Sequence, residues 1–121
     1  MRALSQYKQN SLQTASKEHL MILLFQKALG NLTVCEASDW TKNNDELYEL
    51  ADKAMAIVME LRSSLNHDVA PDLCKQLDDL YGFVVGQIIQ GTTSRDSQNF
   101  GNAKTTLEPI AEAFSEAVKK A

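Results

Sequence analysis

Apolar residues recur at three- and four-residue spacings along nearly the whole chain, and strand-like alternation is almost absent. That period gathers side chains on one face of a helix rather than on alternate faces of a sheet. The helices so defined are unequal. In the last segment Phe100, Ala103, Leu107, Ile110, Ala111, Phe114, Ala117 and Val118 fall within an arc of about 120°, the one-sided stripe of a helix packed on a core. In the third, Leu73, Leu77, Leu80, Tyr81, Phe83, Val84, Val85, Ile88 and Ile89 spread over about 240°. The second covers about 200° with residues from Leu47 to Leu65. The first, from Leu20 to Cys35, has no wholly polar face.

Capping residues divide the chain. Ser16 suits an N-cap for a helix over about residues 17–38, and Asn43 followed by Glu46 a capping box for one over about 44–65. Asp68 to Pro71 opens a third helix, with Pro71 in its first turn, and Gly91 suits the residue just past its end. Asp96 caps a fourth that reaches the C-terminus, where Lys119 and Lys120 complement the helix dipole. Pro109 is expected to kink or divide this helix, and Gly101 to weaken it. Short connections between helices of this length imply antiparallel neighbours. The predicted fold is all-α: an antiparallel four-helix bundle over residues 16–121, preceded by a polar segment, 1–15, that packs as a lid.

A chain of 121 residues has room for one domain. Twelve Lys and Arg against sixteen Asp and Glu give a net charge of −4, which disfavours nucleic acid and anionic membrane as partners. The longest apolar run, Leu20 to Phe25, is far short of the roughly 20 residues of a membrane span, and the polar N-terminus does not suit a signal peptide. No membrane insertion is expected. Cys35 and Cys74 sit at apolar helical positions and read as buried thiols of a cytoplasmic protein, with a disulfide as the alternative.

A small bundle needs about one apolar face per helix, so the first three carry a surplus. Either the first helix sits centrally and absorbs it, or an apolar groove receives an external segment. Catalytic chemistry has no support. His19 and His67 have no companion at metal-ligand spacing, no Glu has a His three residues on, and neither a phosphate-binding glycine loop nor a nucleophile elbow occurs. No cofactor or metal is expected. Asp78 and Asp79 read as a solvated face, and Trp40 as a local packing anchor.

Several local sequences are similar to one known family. Tyr7, then Thr14, Ala15 and Ser16 directly before Lys17-Glu18-His19-Leu20, resembles the start of the flagellin-specific export chaperones, the FliS family. The likeness continues through Leu23-Leu24-Phe25 and Ala28-Leu29. In the second helix Ala54, Ile57, Leu61, Ser64, Leu65 and Asn66 resemble that family's Ile-x-x-x-Leu-x-x-Ser-Leu-Asn/Asp pattern. In the third, Leu77-Asp78-Asp79-Leu80-Tyr81 with Phe83 resembles its Leu-x-x-Leu-Tyr-x-Tyr signature. Phe114 stands at a terminal tryptophan position. The resemblance covers about residues 5–118.

The resemblance implies a cytoplasmic, non-enzymatic chaperone that binds the disordered C-terminal segment of flagellin. It would prevent premature polymerisation and deliver its client to the cytoplasmic part of the type III export gate. Helix-in-groove binding of a disordered partner agrees with the apolar surplus. The groove is expected to use Ile57, Leu61 and Leu65 with Leu77, Tyr81, Val84 and Ile88, and Leu12 from the lid. Tyr7 is expected in the lid or against the export machinery. The chain is expected to be a monomer or weak dimer. The alternative is a self-associating bundle or adaptor with another protein client.

Overall fold

A computed structural model describes the backbone of residues 2–120 and the side chains of residues 17–120. Four helices follow one another: α1 (Arg2–Ala37), α2 (Asp45–Ser63), α3 (Pro71–Ser94) and α4 (Ser97–Lys120). α1 lies against α2 and α4, and α3 lies against the same two. Each helix thus occupies one corner of a four-cornered bundle, and the first is not central. Antiparallel registers are fixed by cross-helix contacts. Asn31 donates to the Leu50 carbonyl at 3.2 Å, and Phe25 packs on Phe114 with ring centres 5.6 Å apart. Asn99 and Asn102 both donate to the Gln87 side chain, at 3.0 and 3.1 Å.

Helix boundaries depart from the sequence reading in ways with local causes. α1 starts at Arg2, so Ser16 is an interior position rather than an N-cap. At α2 the cap is Asn44, whose side chain accepts from the Glu46 amide at 3.0 Å, and not Asn43. α3 continues past Gly91 to Ser94 and ends with Arg95 in the left-handed conformation, φ 54°. Gly91 is not a cap: a Cβ there would lie 2.8 Å from the Phe100 ring, so its role is close approach of α3 to α4. Asp96 does cap α4, accepting from the Gln98 amide at 3.0 Å. α4 runs through Pro109 undivided. Gly101 is buried there, and a Cβ would overlap the Glu36 carboxylate.

The core is built from Phe25, Ala28, Leu32 and Cys35 of α1, Leu47, Ala51, Ala54, Val58 and Leu61 of α2, Tyr81, Val84 and Ile88 of α3, and Phe100, Ala103 and Leu107 of α4. Trp40, in the α1–α2 connection, closes one end. Its indole donates to the Cys35 carbonyl at 2.7 Å, and the ring stacks on Phe100 at 4.6 Å. Both cysteines are buried and free, and burial pushes the Cys35 thiol up to about 11. Lys17–Ala37 is long and apolar enough to cross a membrane, with a mean hydropathy of 1.3, a property the unbroken-run criterion missed. In this fold that stretch supplies one wall of the bundle core.

Candidate functional site

The surplus apolar surface remains exposed where the sequence placed it. Among the described residues, the large exposed hydrophobics are Leu20, Leu23 and Val34 on α1, Met59 on α2, Val69 in the next connection, and Leu73, Leu80, Phe83 and Ile89 on α3. None lies on α4, whose stripe is narrow enough to be covered by its neighbours.

One end of the bundle holds a cavity of about 500 Å³ lined by all four helices. Antiparallel packing brings Met21 and Phe25 of α1, Leu61 near the end of α2, Leu73, Leu77 and Tyr81 at the start of α3, and Ile110, Ala113 and Phe114 near the end of α4 to this end. Leu73, Leu77 and Tyr81 are four residues apart and form one continuous row along α3. Leu65 and Asn66 follow α2, and Pro109 completes the rim. The wall is apolar because it continues the core's stripes past the last layer in which four neighbours close over one another. A smaller depression of about 190 Å³ between α1 and α2 shares Met21, Leu61 and Ser64 with it and extends to Leu20 and Leu24.

Few polar groups face this surface. The Ser64 hydroxyl donates to the Leu61 carbonyl at 2.8 Å, and the Asn66 side chain accepts from the Asp68 amide at 3.2 Å. Beside the cavity, Arg62 pairs with Asp78, Nε to Oδ1 at 2.7 Å, tying α2 to α3. The guanidinium holds the Asp78 carboxyl below its ordinary range. Asp78 is therefore not part of a purely solvated face, although Asp79 is exposed. Among the described residues no three His, Cys, Asp or Glu side chains gather closely enough to hold a metal.

Of the residues expected in a groove, Leu61, Leu65, Leu77 and Tyr81 meet in the cavity. Val84 and Ile88, 0% and 1% exposed, lie in the closed middle of the core and present no surface in the free chain. Ile57 is half-buried against the core and lies off the cavity wall. Leu12 and Tyr7 fall outside the residues whose side chains are described. Missed from sequence were Leu73 on α3 and the contributions of α1 and α4: Met21, Phe25, Ile110, Ala113 and Phe114. All but Ala113 are apolar stripe positions in the sequence reading, without an assigned place in the groove, because nothing in a stripe marks where it outruns its neighbours.

Comparison with known proteins agrees with this architecture. The family model described as flagellar protein FliS matches residues 1–121. The flagellar secretion chaperone FliS of Vibrio cholerae serotype O1 is 30% identical over 107 residues, which is 88% of this chain and 79% of that protein. The flagellar secretion chaperone FliSB of Pseudomonas aeruginosa is 29% identical over 101 residues, 80% of each. A crystal structure of a bacterial flagellar chaperone superposes with a TM-score of 0.77, covering 100% of this chain and 98% of that one at 23% identity, a likeness of fold. With the family model spanning its length and relatives at this identity over most of theirs, the chain belongs to the FliS family of flagellar secretion chaperones.

Proposed function

We propose that this protein is a cytoplasmic, non-enzymatic export chaperone whose cavity binds the C-terminal segment of flagellin. The observation that carries the reading is the apolar cavity at the bundle end, flanked by exposed leucines, in a chain of this family. Flagellin's terminal segments carry amphipathic helical patterns, and an apolar groove is the complement of such a pattern. Binding would mask the surface used in filament assembly and keep the client unfolded for delivery to the cytoplasmic part of the export gate. Each fully buried Leu or Ile anchor contributes about 1.5–3 kcal/mol, against about 1–2 kcal/mol per backbone residue ordered. Several anchors are therefore needed, and the wall supplies Leu61, Leu65, Leu73, Leu77, Ile110 and Phe114.

Residues 1–15 act in this reading as a displaceable cover bearing Leu12, with Tyr7 in the cover or against the export machinery. To cover the cavity, whose wall begins at Met21, this segment has to leave the axis of α1, which runs unbroken from Arg2 to Ala37. The chain works as a monomer or weak dimer. Seeded flagellin polymerisation followed by light scattering tests the function. An equimolar amount of this protein should stop filament growth, and growth at an undiminished rate would contradict the reading.

A further inference from the structure

Tyr81 is 4% exposed, and its hydroxyl donates to no group among the described residues. Among those residues, no side-chain oxygen or nitrogen that is fully sealed from solvent lacks a partner. The small exposure that Tyr81 retains therefore includes its hydroxyl, and Tyr81 is one of the residues that line the apolar cavity. The other polar groups on the wall are already engaged. The Ser64 hydroxyl is bonded to its own helix, and Asn66 is exposed, so bulk water serves what its bond to Asp68 leaves over. Burial pushes the phenol up to about 12, so the O–H is a donor at any physiological pH.

A phenolic O–H that borders an apolar cavity loses free energy unless the occupant offers it an acceptor. Carbonyls inside a helix are bonded to the turn above, whereas the last four of a helix have no partner within it. We infer that the Tyr81 hydroxyl is the polar determinant of the cavity, donating a hydrogen bond to a backbone carbonyl in the final turn of the docked flagellin helix. The inference rests on the reading of the cavity as the flagellin site. It turns an apolar recess, which would take any greasy side chain, into a site that prefers a helix ending inside it.

The test compares wild type with Tyr81→Phe, which keeps the ring and removes only the donor. Both are titrated calorimetrically with the C-terminal segment of flagellin, and both are melted without it. The expected result is about three- to tenfold weaker binding by Tyr81→Phe, the range of one neutral hydrogen bond, with the free protein's melting temperature unchanged. Equal or tighter binding by Tyr81→Phe would overturn the inference and leave the flagellin site standing. A lowered melting temperature would also overturn it, because the hydroxyl would then be engaged in the free fold. Absence of binding by wild type would remove the flagellin reading and this inference with it.

Discussion

Leu73 is the cavity residue whose substitution disturbs the free fold least and the proposed complex most. It is 56% exposed and lines the cavity mouth at the third position of α3. Complete burial of a leucine is worth about 1.5–3 kcal/mol, so the half still open to a partner is worth about 0.8–1.7 kcal/mol. Leu73→Asp forfeits that amount and asks a carboxylate to face apolar surface, so binding should weaken at least about four- to eighteenfold. The free protein should tolerate the change. An acid in the first helical turn interacts favourably with the helix dipole, and exposed substitutions shift stability by about 0.5 kcal/mol or less. Calorimetric titration with the flagellin C-terminal segment, with thermal melts of both proteins, reads the two quantities separately. Unchanged affinity in a folded Leu73→Asp protein would refute the placement of the client in this cavity.

Other consequences concern the fold that holds the cavity open. Gly91→Ala forces a Cβ against the Phe100 ring and should destabilise by about 1–3 kcal/mol, whereas Gly86→Ala meets nothing within 4 Å and should stabilise by about 0.5–1 kcal/mol. Chemical denaturation of the pair distinguishes them, and equal effects would contradict the packing assigned to Gly91. Because Arg62 lowers the Asp78 carboxyl below its ordinary 3.8, the pair's contribution to stability is present above that value and is lost as pH falls through the lower folded value. Arg62→Ala should therefore flatten the fall of melting temperature as pH drops through and below the ordinary carboxylate range, and an unchanged fall would argue against the pair. With Cys35 near 11 and both thiols buried, a thiol reagent at pH 8 meets about 0.1% thiolate at that residue. Labelling should wait for unfolding, and fast reaction in the native protein would contradict the burial.

The helical period and the unequal arcs carried the four helices and their surplus, and among the described residues all nine exposed large hydrophobics lie on α1 to α3 or their connection, not on α4. Neighbour identity was less accessible. A period gives the width of an apolar face but not which helix covers it, so the central placement considered for the first helix gave way to a corner position beside α2 and α4. Gly91 was misread because a glycine near a helix end suits both a left-handed cap and a close crossing, and only the Phe100 ring distinguishes them. Four of the expected groove residues do meet in the cavity. Val84 and Ile88 share their stripe but lie farther along α3, where four helices close over them. Phe25 and Phe114 pair across α1 and α4 at the opposite wall, a contact between residues far apart in the chain that no local pattern announces.

Calorimetric titration of the intact protein with the last forty or so residues of its own organism's flagellin, at two temperatures, tests the central claim most directly. An apolar cavity that takes the flagellin tail predicts saturable one-to-one binding with a clearly negative heat-capacity change. Absence of heat at micromolar concentrations at both temperatures, from protein shown to be helical by circular dichroism, would contradict it.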